Sequence, residues 1–181
     1  MRQISPKEFT AAFLAVVEEE RSDIAVRWAG PRADYTRFMR TVVLTKVGER
    51  LGLKTYCSDY YTLDAIFYED KDVEHFPADH TYAKYVAVAL EHENVVTTSC
   101  TEMNKLQLFN APLKVLITYA PGSDMENSLA KYAKIVRNAD CFGDIATLRR
   151  QVVLFGDMSQ NAQIWRSFVY EGEGFVPLTV A

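Results

Sequence analysis

Glycine is scarce in this chain, eight in 181 residues, and no cluster of them forms the loop that cradles a phosphate between a strand and a helix. There is also no G-x-S-x-G elbow and no H-E-x-x-H helix, which sets aside the common nucleotide-cofactor folds, α/β serine hydrolases and helix-borne zinc proteases. Cysteine is equally sparse. Cys57, Cys100 and Cys141 lie far apart, odd in number and without a C-x-x-C pair, which excludes a zinc ribbon and a disulfide framework and leaves ordinary thiols of a reducing compartment. Long apolar runs are missing as well. The first stretch, MRQISPKEFTAAFLAVVEEE, is broken by charge and too short for a signal core or a membrane span, so the expected setting is the cytoplasm with no membrane partner. Charge of one sign does not dominate: 20 Lys and Arg against 24 Asp and Glu leave a formal net charge of −4, which advertises no polyanion partner for the molecule as a whole. No repeat, low-complexity tract or long linker is visible.

What is present suffices for a core. With 49% hydrophobic and 12% aromatic residues, the chain is expected to form one domain over residues 1–181. Ser5, Pro6 and Glu8 predict a capping box and a helix to about Glu20. ADYTRFMRTVVLTKVGERLGL carries Phe38, Val42, Val43 and Val47 near helical spacing, with Gly52 as the stop, so two helices are expected at the front. LKTYCSD and YYTLDAIFYED read as adjacent strands, and KDVEHFPADH as a loop. YAKYVAVALEHE is a long strand whose continuous apolar centre predicts cover on both faces. TEMNKLQLF is a helix ended by Pro112, LKVLITYA a strand, DMENSLAKYAKIVRNA an amphipathic helix, and QVVLFGD and IWRSFVYEGEGF two closing strands. Strands alternating with helices in the second half predict an α/β fold with a mixed sheet and helices against it.

The acids carry the chemistry. Glu91 and Glu93 are one position apart on a strand, so both leave from the same face, where like charges repel unless a cation or a proton relieves them. Asp64 is a lone carboxylate between Leu63 and Ala65, expected on one strand face with Ile66 and Tyr68. With Glu49 near the end of the second helix, these make an ordered set of four acids, and hard ions such as Mg²⁺ or Mn²⁺ take such oxygen ligands together with waters and phosphates. Lys105, three residues after Glu102, shares a helical face with it and is placed either to reach back to the acids or to form a solvated surface pair.

The order of acid-bearing helix, strand with Leu63-Asp64, long strand with Glu91-His92-Glu93, helix and strand resembles the PD-(D/E)XK nuclease superfamily over about residues 32 to 120. The run from Glu91 to Tyr119 resembles an uncharacterised branch of it. That resemblance implies a restriction-endonuclease-like mixed central sheet flanked by helices, with its core over about 32–156, and metal-assisted hydrolysis of phosphodiester bonds. Asp64, Glu91, Glu49 and the backbone carbonyl of His92 would hold Mg²⁺ or Mn²⁺, and Glu93 or Lys105 would act on the attacking water. The sequence departs from the pattern at Leu63, where the name expects proline, and at Glu93, where it expects lysine, for which Lys105 is the candidate replacement. The implied partner is nucleic acid, DNA first, with a homodimer as the assembly compatible with cutting two strands. The alternative is a nuclease-like fold without activity, serving as a structural or protein-binding subunit.

Other residues were weighed against the same chemistry. His75 and His80 fall in the expected loop, and the His92 ring should point away from its glutamate neighbours, so no imidazole is assigned to a metal. Trp28, Trp165 and Arg166 have the chemistry to meet nucleic acid but are expected in packing roles, and Arg149-Arg150 makes a short basic spot. The recurrence of Arg32, Arg37, Arg40 and Lys46 along one helix fits a solvated face or a track along a backbone.

Overall fold

The Ser5 hydroxyl accepts the Glu8 N–H at 3.2 Å while the Glu8 carboxylate accepts the Ser5 N–H at 2.8 Å, which closes the expected capping box. From it α1 runs over Pro6–Glu19. The computed structural model describes residues 2–76, 80–158 and 163–180. A second helix not anticipated from the sequence, α2 (Arg21–Trp28), follows directly. The predicted long helix is present but is not uniform. It begins as α3 (Arg32–Phe38), passes through a π-helical turn (Met39–Val43) and continues as α4 (Leu44–Leu51). Gly52 ends it at φ 65°, donating to the Glu49 carbonyl at 3.0 Å, a left-handed backbone conformation that suits glycine.

The strands β1 (Lys54–Tyr56) and β2 (Ala65–Tyr68) pair antiparallel as expected. The stretch read as a loop differs. After a 3₁₀ turn at Asp70–Asp72, Val73–Phe76 (β3) and His80–Ala83 (β4) form a separate two-stranded sheet, with 77–79 outside the described residues. Polar pairs brace this ribbon: Tyr82 donates to Glu74 at 2.7 Å and Lys84 pairs with Glu74 at 2.9 Å. A hydrophobicity pattern has little to detect in such an element. Next come β5 (Val88–Glu93), α5 (Ser99–Gln107), β6 (Leu113–Tyr119), α6 (Gly122–Ala139) and β7 (Arg150–Asp157). The final run is two strands, β8 (Ile164–Tyr170) and β9 (Phe175–Pro177), folded back through Gly172 at φ 83°.

Together these make a mixed α/β architecture with a seven-stranded sheet ordered β1-β2-β5-β6-β7-β8-β9. β5, β6 and β7 are parallel and the outer pairs antiparallel. Both faces are covered. Phe9 and Phe13 of α1, Ile24, Phe38 and Val43 pack on Phe67, Leu90, Val115 and Leu154 from one side. Met103 and Leu106 of α5 and Tyr132 and Val136 of α6 pack on Ile66, Ala89, Leu116 and Val153 from the other. Every residue of β6 is buried, which explains its nearly continuous apolar spelling, with Lys114 and Thr118 as buried polar exceptions. Among the described residues no helix is long and apolar enough to cross a membrane.

Candidate functional site

Residues 88, 90 and 92 of β5 face the α1 side and residues 89, 91 and 93 face α5, because side chains alternate along a strand. Glu91 and Glu93 therefore share a face, as expected. The antiparallel register sets Ala65 opposite Leu90, so the next pair, Asp64 opposite Glu91, falls where β2 has just ended. Asp64 is thus not inside the strand but immediately ahead of it. From there its Oδ2 accepts the His92 N–H at 2.9 Å, taking the place of the neighbouring strand that is no longer there.

A tight turn sets Asp64 in position. Tyr60 and Leu63 exchange backbone hydrogen bonds at 3.1 and 3.0 Å, with Tyr61 at φ 47° and Thr62 at φ 76° between them. A β-branched residue in the left-handed region stores strain. The turn directs the Thr62 carbonyl at Lys105, whose Nζ donates to it at 2.9 Å.

Two cations meet the acids. Lys105 Nζ stands 2.9 Å from Glu91 Oε1 and 2.5 Å from Glu102 Oε2, so the solvated-pair reading of Glu102 and Lys105 gives way to one in which the lysine reaches inward. Arg40 lies in the π-helical turn. Its guanidinium is 3.4 Å from Asp64 Oδ1 and donates to the Cys57 carbonyl at 2.6 Å. A π turn displaces side chains from the regular helical face and recurs at functional sites.

Glu91 is 1% exposed, and its carboxyl is pushed up to about 9. Burial is the main cause. Lys105 pulls it down, while Asp64 and Glu102 add their own upward push. Burial pulls Lys105 down, but the contacts with Glu102 and Glu91 outweigh that and the net shift is upward. Near neutrality the pair is therefore a charged lysine beside a protonated glutamic acid. The like charges acting on Glu91 are Asp64 and Glu102 rather than Glu93, and they are met by Lys105, by Arg40 at Asp64 and by a proton.

The remaining candidates lie apart. Glu93 Oε1 accepts the Val95 N–H at 2.9 Å in the turn that leads to α5. The His92 ring points to the opposite face, as expected. Its Nε2 is 2.8 Å from the Tyr119 hydroxyl, and burial with the Arg40 charge lowers it to about 3, so it is neutral. Glu49 is a correction: it is exposed in the last turn of α4, nine residues beyond Arg40, roughly 13 Å along the axis at 1.5 Å per residue. It joins the surface charges around Lys46 instead. The basic stripe on the same helix also dissolves, since Arg37 pairs with Asp34, Lys46 with Glu20 and Arg40 turns inward. Arg149 and Arg150 are likewise paired, with Asp144 and Glu171. Sequence reasoning named Arg40 only as one of a basic series and did not place it beside the acids. Nothing in the helical spacing distinguishes it, because the π turn that redirects it has no sequence signature.

Among the described residues no group of three or more His, Cys, Asp or Glu side chains is arranged to hold a metal ion. Two carboxylates, Asp64 and Glu91, are near enough that the charge of one acts on the other. No protein-family model matches the chain, and no curated protein matches it as a relative.

Proposed function

We propose that this chain is a metal-dependent nuclease, hydrolysing phosphodiester bonds of nucleic acid, DNA first, on a restriction-endonuclease-like version of its mixed sheet. The observation that carries this reading is the convergence of Asp64, Glu91 and Lys105 where β2 has ended and β5 runs on. The donor set fits Mg²⁺ or Mn²⁺, which are often held by one or two carboxylates with water and phosphate oxygens completing the shell. Asp64 and Glu91 would be those carboxylates. The His92 carbonyl leaves β5 on the same side as the N–H that Asp64 accepts, and adds a third oxygen. When bound, the ion polarises the phosphate and acidifies a water.

The chain's own residues do the rest. Glu102 keeps Lys105 protonated, and the Thr62 carbonyl fixes its direction, so a positive group faces the oxygens on which charge develops. Glu93 retains one carboxylate oxygen, beyond the one bound by Val95, to orient water.

One observation favours a second reading. Both acids already have a cation, Arg40 at Asp64 and Lys105 at Glu91, and Glu91 is almost sealed from solvent. On that reading the fold serves as a structural or protein-binding subunit without hydrolysis.

The test is incubation of supercoiled plasmid and of single-stranded DNA with the protein in Mn²⁺, beside Asp64→Asn and Glu91→Gln. The nuclease reading expects cleavage that both substitutions abolish, and linear product from plasmid would indicate two copies acting together. An inert wild type, or cleavage that survives both changes, sinks it.

A further inference from the structure

The carboxyl ends of the parallel strands border an open cavity of about 540 Å³. In open α/β sheets this end is where connections diverge and ligands settle. Trp28 at the end of α2, Tyr35 on α3 and Tyr119 at the end of β6 form its aromatic walls. The indole lies 4.9 Å from the Tyr35 ring and 4.8 Å from the Tyr119 ring, and at 37% exposed it keeps part of its surface uncovered.

The tyrosine hydroxyls are already engaged. Tyr35 and Tyr119 are bonded at 2.5 Å, and Tyr119 continues to His92, so the walls offer ring surface rather than polar groups. Three polar side chains complete the lining. Asn94 donates from Nδ2 to the Thr36 hydroxyl at 2.5 Å, which leaves Oδ1 as a buried acceptor with no donor. Arg32, the first residue of α3, is exposed and has no ion pair among the described residues. Asp157, the last residue of β7, is the third.

We propose that this cavity binds a nucleotide: the base against Trp28, a base N–H given to Asn94 Oδ1, and the phosphate at Arg32. An aromatic ring without N–H would leave Asn94 Oδ1 unsatisfied, which is unfavourable for a buried acceptor. A neutral ring would leave Arg32 without its natural counter-charge. The scarcity of glycine agrees with this arrangement, since a side chain rather than a glycine loop takes the phosphate. The site needs neither metal nor hydrolysis, and it accepts the same chemistry from a free nucleotide or from one residue of a single strand.

The experiment is calorimetric titration in chelator with deoxynucleoside 5′-monophosphates, the matching nucleosides, inorganic phosphate and a short single-stranded oligonucleotide. Saturable binding of at least one nucleotide is expected. Trp28→Ala should weaken nucleotide and nucleoside by about tenfold or more, the scale of one lost base stack. Arg32→Ala, at an exposed position outside the core, should erase the advantage of nucleotide over nucleoside. Tighter binding of the oligonucleotide than of any mononucleotide assigns the occupant to a strand, and equal binding assigns it to the free nucleotide. No saturable binding, or binding that neither substitution weakens, overturns the proposal. Nucleotide binding without cleavage would count against hydrolysis alone, and cleavage without nucleotide binding against this cavity alone.

Discussion

Glu91 and His92 are neighbours with opposite titration, and together they dictate how stability depends on pH. The Glu91 carboxyl sits at about 9 in the folded protein against an ordinary 4.5. Between those values the native state keeps a proton that the unfolded chain has released, so stability falls as pH rises. His92 is the reverse case, at about 3 against an ordinary 6.5. There the unfolded chain holds the extra proton, and stability rises with pH. Lys114, fully buried and lowered by its burial to about 8 from an ordinary 10.5, also adds stability as pH climbs through that range.

Each group contributes about 1.4 kcal/mol per pH unit within its own window. Glu91 and His92 cancel between 4.5 and 6.5, and Lys114 offsets Glu91 above 8. Between 6.5 and 8 Glu91 acts alone among the described residues with a shifted group. The expected loss over that interval is about 2 kcal/mol, or roughly 4–8 °C in Tm for a chain of this size. Urea unfolding at half-unit pH steps in chelator reads it directly. Glu91→Gln should be flat from 6.5 to 8, more stable than wild type at pH 8, and should uncover the rising limb of His92 below 6.5. A wild-type stability that does not fall across the interval, or a Glu91→Gln protein that still falls, refutes the assignment of a buried proton to Glu91.

Three further outcomes follow from the same contacts. An ion entering between Asp64 and Glu91 must displace the Glu91 proton, so affinity for Mg²⁺ or Mn²⁺ should rise by up to about tenfold per pH unit below 9. Thermal shift at pH 6.5 and 8 measures this, and equal affinities would contradict it. Arg40→Ala removes the donors to Asp64 and to the Cys57 carbonyl and should cost about 2 kcal/mol in urea unfolding. A loss too small to resolve would mean that the π turn does not hold the acid in place. Gly48→Ala should destabilise by about 1–3 kcal/mol despite the better helix propensity of alanine. Its Cβ would stand 2.0 Å from Thr55 Oγ1 and 3.1 Å from the Leu53 carbonyl oxygen, so a stabilised variant would mean that α4 does not approach β1 this closely.

The elements legible in the sequence were those whose burial imposes a period. β5 and β6 are buried on both faces and lie in nearly continuous apolar runs, while α1 carries a capping box and α6 a one-sided stripe. The ribbon of β3 and β4 escaped notice because polar cross-strand pairs hold it, and α2 because only Ile24 among its residues is buried. Within the site, the common neighbourhood of Asp64 and Glu91 was recoverable from order, whereas spacing left Lys105 open between an inward reach and a surface pair. Arg40 was not recoverable, since its aim depends on a helical defect, and Glu49 was misplaced because sequence order does not measure distance along a helix.

The position of Asp64 gives it two separable tasks. One of its oxygens accepts the His92 N–H on an edge of β5 that no strand covers, which is a structural task. Its charge acts on Glu91 and meets Arg40, which is an electrostatic one. Asparagine at this position keeps a carbonyl oxygen for the amide and removes the charge, whereas alanine removes both and leaves a strand N–H without its partner. Loss of activity in an alanine variant would therefore fit either task. Loss in the asparagine variant, with unfolding stability held near wild type, would isolate the charge, which is the part of Asp64 that the proposed divalent ion requires.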